Sequence, residues 1–212
     1  MKLLKVKFMS QQIFWIHGGN VFNSHKDYLE FLKTREATKE YFIGKNRWVH
    51  HLQADLGDGY EVFLPQMPCA TWNAKYSEWK IWFEKSFPFL KDNLILAGGS
   101  LGGMFLAKYL SENDFPLKIK GAFLLAAPFD DKDKNINYTL GDFALPKSLE
   151  KFSTQCSKIF LYHSKDDPLV PFIDLEKYSK ALPNAEKIIF EDKGHFKLKE
   201  FPEFVEKLKS IK

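Results

Sequence analysis

The sequence predicts an α/β fold, with a mostly parallel central sheet and helices on both of its faces. Short apolar runs at 13–16, 94–97 and 121–128 are typical of strands buried on both sides. Segments with apolar residues at helical spacing lie between these runs, and a regular alternation of strand and helix is typical of a parallel sheet. We expect a single domain over residues 1–212, because no repeat or low-complexity linker divides the chain.

The first half of the chain begins with an apolar run at 13–16 that ends at "HGGN", as a buried parallel strand would end. Apolar positions within 25–33 predict a helix, and a second helix over 47–56 is stopped by "GDG". "YEVFLP" at 60–65 predicts the next strand, closed by its proline. Aromatic residues then recur at helical spacing over 76–83 and predict one apolar helix face.

The second half continues the alternation. A strand at 94–97 precedes a helix at 101–110, and further strands are expected at 121–128, 158–164 and 186–191. A helix is expected over 172–182. The last helix, 201–211, has apolar residues at i, i+3, i+4 and i+7, with Pro202 suited to its first turn.

Residues 129–155 interrupt this alternation. The segment begins with polar residues, "DDKDKN", and then contains Phe143, Leu145 and Pro146. A long connection inside a compact domain is often a lid or a substrate wall. We predict a short lid-like insertion with minimal or no cap domain, and a plain surface excursion is the alternative.

The charge and composition exclude several classes of protein. The formal net charge is +4, and only two of the 31 basic residues, Arg35 and Arg47, are arginine. Nucleic-acid readers usually carry clustered basic side chains, so we expect no nucleic-acid partner. We also expect no membrane span, because no apolar run approaches the roughly 20 residues needed to cross a bilayer.

The N-terminal residues and the cysteines indicate a cellular compartment. Lys5 and Lys7 interrupt any signal-peptide core, and two cysteines cannot build a disulfide framework. The sequence therefore predicts a cytoplasmic protein. Met9 offers an alternative start, so residues 1–8 are interpreted as a dispensable extension.

The stretch "LAGGSLGGM" at 96–104 carries the most chemical information. It lacks the lysine of a phosphate-binding P-loop and the G-x-G-x-x-G spacing of a dinucleotide site. It does contain G-x-S-x-G, from Gly98 to Gly102, between a predicted strand and a predicted helix. In that context the serine stands on a sharp turn with its hydroxyl at the carboxyl edge of the sheet. We interpret Ser100 as a nucleophile, and a glycine-rich packing turn is the alternative.

A serine hydroxyl needs a base, and the base needs an acid to orient it. His195 follows the last predicted strand, where a loop can bring it over the sheet edge. Asp167, in "HSKDDPLVP", is the predicted acid, with a turn cap as the role expected of Asp166; the alternative is that both aspartates are turn formers. The order Ser100, Asp167, His195 is that of α/β-hydrolases. His17 is expected to pin its loop rather than to act as the base.

An acyl-transfer site also needs two donors for the oxyanion. The N–H of Leu101 and the N–H of Gly19, in the "HGGN" loop, are the predicted pair, with Asn20 as second choice in that loop. The predicted substrate-binding residues are Asn20, Phe22, Trp72, Phe129 and Phe143. Aromatic walls of this kind favour short or aromatic acyl groups, although aromatic residues are also core-formers.

These motifs, together with "YEVFLPQMPCATWNAKYSEWKIWFEKSF" at 60–87, resemble the small α/β-hydrolases that include the retinoblastoma-binding serine hydrolases and their bacterial relatives. The resemblance spans nearly the whole chain. It implies an α/β-hydrolase fold, the triad Ser100–His195–Asp167 and weak carboxylesterase activity. The chain departs from many α/β-hydrolases by carrying Gly99 before the serine instead of histidine. It contains no L-x-C-x-E segment, so no protein partner is inferred.

The function predicted from the sequence is a serine hydrolase that cleaves small acyl esters through an acyl-enzyme, with no metal and no organic cofactor. The expected partner is a small-molecule acyl substrate. Two alternatives stay open at this point. The same triad serves thioesterases, amidases and peptidases, and the same fold serves binding modules whose triad is idle.

Overall fold

One sheet of six parallel strands organises the molecule, in the order β2-β1-β3-β4-β5-β6. The computed structural model describes residues 10–36, 39, 47–132 and 139–211, so the predicted extension 1–8 lies outside the described residues. The strands are β1 (Gln11–Ile16), β2 (Tyr60–Phe63), β3 (Leu94–Gly99), β4 (Ile119–Leu125), β5 (Ile159–Ser164) and β6 (Glu186–Phe190). The predicted parallel sheet is confirmed. The strand expected at 121–128 ends earlier, because the chain turns at Ala126, whose φ is 45°.

The predicted helices are also present, close to their expected bounds. The helices are α1 (His25–Thr34), α2 (Trp48–Leu56), α3 (Tyr76–Glu84), α4 (Leu101–Glu112), α5 (Glu150–Gln155), α6 (Ile173–Ala181) and α7 (Pro202–Ser210). Helix α5 was not predicted from the sequence, because six residues are too few to show helical periodicity. Two short 3-10 turns lie at Phe87–Phe89 and Gly141–Phe143.

Side chains that alternate along the strands build one core on each face of the sheet. Phe14, Leu96 and Leu124 pack with the buried residues of α3, α4, α5 and α6. Ile95 and Phe123 point the other way and pack with α2 and α7. Helices therefore cover both faces, as predicted. The exception is α1, which has no buried residue and belongs to neither layer.

The described part of the 129–155 segment is firmly packed. Phe143 and Phe152 are completely buried. The carboxylate of Asp142 accepts hydrogen bonds from the N–H groups of Tyr76 and Ser77 at 2.9 and 3.4 Å, at the start of α3. Residues 139–155 thus pack against α3 and α4. Residues 133–138 lie outside the described residues. No large cap domain is present in the described part of the chain.

The parallel arrangement decides where chemistry can take place. Every strand ends at the same edge of the sheet, so the loops after β1, β3, β5 and β6 meet there. These four loops carry the "HGGN" segment, Ser100, Asp167 and His195. Among the described residues, no helix is long and apolar enough to cross a membrane.

Candidate active site

Ser100 occupies a sharp turn between β3 and α4. Its backbone has φ 54° and ψ −127°, a region that residues with a side chain rarely adopt. The neighbouring strand β4 holds this turn, since the Ser100 N–H donates to the carbonyl of Leu125 at 2.7 Å. A methyl group on Gly102 would lie 2.2 Å from the carbonyl oxygen of Ile16, so only glycine lets α4 approach β1 this closely. The geometry is that of a nucleophile elbow.

Gly99, the departure from the usual histidine, has a structural partner. A Cβ on Gly99 would stand 3.0 Å from two ring atoms of Trp15. Trp15 itself is 8% exposed and packs edge-on against Trp48. The indole of Trp15, on β1, therefore fills the space beside the turn that a side chain at position 99 would take.

Asp167 and His195 meet in a hydrogen bond of 2.8 Å between Asp167 Oδ2 and His195 Nδ1. The other carboxylate oxygen of Asp167 accepts the N–H groups of Leu169 and Val170, at 2.8 and 3.1 Å. Burial alone would raise the pKa of Asp167, but the hydrogen bond from His195, the charge of that ring and two backbone N–H groups hold it below its usual range. Because an ionised carboxylate only accepts, His195 donates through Nδ1, and in the neutral ring Nε2 is then the basic nitrogen.

Ser100 lies at the same edge of the sheet but is not hydrogen-bonded to Asp167 or His195. Its hydroxyl makes no hydrogen bond to any residue that the structure describes. Hydrogen bonds between a catalytic nucleophile and its base are often long in the free enzyme and tighten only with substrate. The structure thus brings together two members of the predicted triad and places the third on a strained turn at the same edge of the sheet.

His17 fixes the loop after β1. Its Nε2 accepts the N–H of Met67 at 3.0 Å, so its proton is on Nδ1, which donates to the Gly18 carbonyl at 2.7 Å. In a trans peptide the N–H points away from the carbonyl, so the Gly19 N–H is directed opposite to His17. Within the described residues, neither that N–H nor the N–H of Leu101 has a hydrogen-bond acceptor. The loop-pinning role predicted for His17 is confirmed.

The loop fixed by His17 also lies against Ser100. A Cβ on Gly18 would stand 3.5 Å from the Ser100 hydroxyl oxygen. Asn20 anchors the next residues, because its backbone N–H and its side-chain amide donate to the carbonyls of Ala70 and Thr71, at 2.9 and 3.2 Å. Its side-chain nitrogen is therefore already engaged.

Phe22 and Trp72, two of the predicted substrate-binding residues, belong to one aromatic cluster beside this loop. Phe22 contacts Tyr28 and Phe31 of α1, with ring centroids 5.5 and 5.3 Å apart. Trp72, which is 40% exposed, contacts Tyr28 and His25, at 6.1 and 6.4 Å. We call these five residues the α1 aromatic cluster. The three members on α1, His25, Tyr28 and Phe31, were not predicted at the site, although their spacing of three residues places them on one helix face.

The other two predicted aromatic residues lie elsewhere. Phe129 is partly buried, packs edge-on against Tyr178 at 4.9 Å, and donates its N–H to Asp174. Phe143 is fully buried between Tyr76 and Trp79, with ring centroids 6.0 and 5.1 Å away. Phe143 is therefore a core residue and offers no surface to a substrate in this conformation.

A family model described as "Serine hydrolase" matches residues 43–208. The chain belongs to the serine hydrolase family. The match includes Ser100, Asp167 and His195. The strand β1, the "HGGN" loop and the helix α1 lie outside the matched residues. Serine hydrolase RBBP9 of Rattus norvegicus is 26% identical over 153 residues, which cover 72% of this chain and 78% of the rat protein. The resemblance inferred from the motifs is thereby confirmed.

Solved structures agree on the fold of this serine hydrolase. The ydeN gene product of B. subtilis superposes with a TM-score of 0.74 at 19% identity, covering 95% of this chain and 98% of that one. An esterase from Exiguobacterium antarcticum superposes with a TM-score of 0.60 at 16% identity, covering 95% and 91%. The α/β-hydrolase fold predicted from the sequence is confirmed.

Another histidine of the serine hydrolase, His163, is buried and senses the charges of Asp167 and His195. His163, on β5, is 1% exposed and packs against Phe172. Its Nδ1 accepts the N–H of Ser164 at 3.1 Å, and its Nε2 has no hydrogen-bond partner among the described residues. Burial lowers the pKa of His163; the charge of Asp167 opposes this shift and the charge of His195 adds to it. His163 is therefore a neutral ring at physiological pH.

This burial predicts a pH-dependent stability. An unfolded histidine binds its proton near pH 6.5, whereas folded His163 stays neutral to lower pH. The unfolded state thus binds more protons below about pH 6.5, so the contribution of His163 to the unfolding free energy is complete above that pH and decreases as the pH falls, by at most about 1.4 kcal/mol per pH unit. Denaturant unfolding at about pH 7 and about pH 5 measures it.

The matched variant is His163→Phe, which keeps an aromatic ring beside Phe172 and removes the titrating group. The wild type is expected to lose more unfolding free energy than this variant between the two pH values. Equal losses in both proteins contradict the assignment of a buried neutral ring.

Proposed function

We propose that this serine hydrolase is a carboxylesterase that cleaves small acyl esters through a covalent intermediate on Ser100. The observation that carries the proposal is the 2.8 Å bond between Asp167 and His195 Nδ1, which leaves Nε2 of the neutral ring as the basic nitrogen at the sheet edge where Ser100 stands. A serine at an elbow and an oriented imidazole are the two parts that acyl transfer to water requires.

The first half of the proposed reaction forms the acyl-enzyme. His195 Nε2 takes the proton of the Ser100 hydroxyl while the serine oxygen attacks the ester carbonyl carbon. The resulting oxyanion accepts hydrogen bonds from the N–H groups of Leu101 and Gly19. When the tetrahedral intermediate collapses, the bond to the alcohol oxygen breaks, and His195 donates its proton to the departing alcohol.

The second half repeats these steps with water. His195 removes a proton from a water molecule, and the hydroxide formed attacks the acyl carbon. Collapse of this intermediate breaks the bond to Ser100, which regains its proton, and a carboxylic acid leaves. Asp167 stays ionised throughout and stabilises the imidazolium that forms twice per turnover.

Two features of the site support the donor assignment. The N–H of Leu101 lies at the N-terminus of α4, where the helix dipole favours negative charge. The N–H of Gly19 is aimed by the hydrogen bond from His17 to the Gly18 carbonyl. Both N–H groups are fixed before substrate arrives, and such preorganisation is what makes an oxyanion site effective.

The substrate side of the proposal rests on the α1 aromatic cluster. The side chain of Asn20 bonds to the carbonyl of Thr71, so Trp72 lies next to the "HGGN" loop at 17–20. Phe22 follows that loop two residues later. Neither aromatic residue is buried in the two cores of the sheet. We place the apolar part of the acyl substrate against Phe22 and Trp72.

The reaction class is tested by labelling with a fluorophosphonate and by ester hydrolysis. We expect the wild type to be labelled on Ser100 and to release acid from small esters, while Ser100→Ala is not labelled and loses about 10³-fold or more in kcat. Intact-protein mass spectrometry and titration of released acid measure these outcomes.

A labelled protein that cleaves thioesters or amides faster than esters contradicts the ester assignment. A wild type that is neither labelled nor active contradicts the enzyme assignment and favours a binding module. Circular dichroism of Ser100→Ala is the control for folding.

The substrate side is tested with Trp72→Ala. We expect kcat/KM for an ester with a phenyl-bearing acyl group to fall about 10- to 100-fold, mainly through KM, because burial of a ring contributes about 1.5–3 kcal/mol. The acetyl ester of the same alcohol is expected to change little. The matched control is Trp82→Ala, since Trp82 is 47% exposed on α3. An equal loss with both esters contradicts the placement of Trp72 in the substrate site.

A further inference from the structure

A second carboxylate reaches the loop that carries His195. The side chain of Asp166 accepts the N–H of Gly194 at 2.8 Å and also the hydroxyl proton of Ser164. Gly194 is the residue immediately before His195. Two consecutive aspartates after β5 thus have different targets: Asp167 bonds to the ring of His195, and Asp166 bonds to the backbone beside it.

Ser164 adds a second link to the same loop. Its side chain is completely buried, and its hydroxyl oxygen accepts the N–H of Lys193 at 2.9 Å. A hydroxyl has one proton, and that of Ser164 is directed at the carboxylate of Asp166, which is closer than the other available acceptor, the Phe190 carbonyl at 3.3 Å. The N–H groups of Lys193 and Gly194 are therefore both bound by side chains from the end of β5.

The loop needs such links because its backbone is unusual. Gly194 and Phe196, on either side of His195, have φ values of 50° and 51°. Such a conformation is unfavourable for phenylalanine and persists only where surrounding contacts impose it. On the far side of His195 the contacts come from the protein interior: Phe196 packs against Phe190, and its carbonyl accepts Trp48 Nε1–H at 3.0 Å. On the near side they come from Asp166 and Ser164.

We propose that Asp166 is a positioning residue of this hydrolase, which holds the imidazole of His195 against Asp167 by fixing the Gly194 amide. The proposal rests on the proposed function, because it assigns Asp166 a part in placing the base of that reaction. Asp166 itself lies at the surface and does not touch the reacting atoms. Hydrogen bonds from Ser164 and from Gly194 lower its pKa, so the carboxylate is a strong acceptor at neutral pH.

Two variants separate geometry from charge. Asp166→Ala removes the acceptor of the Gly194 N–H. Asp166→Asn keeps a side-chain oxygen in the same place and removes the charge. The matched control is Asp192→Ala, because Asp192 is an exposed carboxylate of the same loop. Thermal unfolding of all three variants checks that they fold.

The first readout is kinetic. Asp166→Ala is expected to lower kcat about 10- to 100-fold with little change in KM, since small misplacements of a catalytic group have effects of this size. The kcat of Asp166→Asn is expected to stay within about threefold of the wild-type value, and the kcat of Asp192→Ala is expected to equal the wild-type value. Both variants keep a side-chain acceptor for the Gly194 N–H.

The second readout needs no activity. The Nδ1 proton of His195, bonded to Asp167, is observed by proton NMR at low field when that bond is ordered. We expect this signal in the wild type and in Asp166→Asn, and its broadening or loss in Asp166→Ala. If the wild type hydrolyses no ester, the proposed function fails, while the NMR comparison still decides the role of Asp166.

The positioning role is overturned if Asp166→Ala keeps both the low-field signal and wild-type kcat. It is equally overturned if Asp166→Asn loses as much kcat as Asp166→Ala while the signal persists in both, because the charge and not the hydrogen bond is then responsible.

Discussion

The close approach of α4 to β1 is the constraint on which the site depends. At Gly102 the backbone of the helix touches the carbonyl of Ile16, and a Cβ at Gly98 would lie 2.4 Å from the carbonyl oxygen of Gly102. With no side chain at either position, the chain can reverse direction within one residue. Ser100 is that residue, and its left-handed backbone results from the constraint. The loop after β1 also lies against this turn, with Gly18 next to Ser100 and Gly19 next to the side chain of Leu101, so the predicted nucleophile and the predicted oxyanion donors lie together.

The half of the site formed by Asp167 and His195 is built on a different principle. No strained turn holds Asp167; its carboxylate is placed by two backbone N–H groups and by His195. The loop of His195 is placed in turn by Asp166 and Ser164, and by the aromatic packing of Phe196. One half of the site therefore depends on the absence of side chains, and the other on a network of charged and polar ones. Joining them requires only that Ser100 and His195 come within hydrogen-bond range.

The features visible in the sequence were those with a local cause. Buried strands are short apolar runs, and the elbow is a fixed spacing of glycines around a serine, so both could be predicted. The contact between Asp166 and Gly194 joins residues 28 positions apart, and nothing in the local sequence indicates it. The same holds for Trp72, whose ring meets α1 only through the tertiary fold. Phe143 was predicted at the substrate site but lies in the core, because the sequence does not show which of many phenylalanines the fold will bury.

In the proposed site, Ser100 attacks an acyl carbon whose carbonyl oxygen is bound by two backbone N–H groups, while His195 faces the serine. A crystal structure of the protein after reaction with a fluorophosphonate shows whether these groups meet. We expect phosphorus bonded to Ser100 Oγ, with the phosphoryl oxygen about 3 Å from the nitrogens of Leu101 and Gly19 and His195 Nε2 facing the adduct. An adduct on another residue, or an adduct on Ser100 with His195 turned away and the phosphoryl oxygen in solvent, would show that the proposed site is wrong.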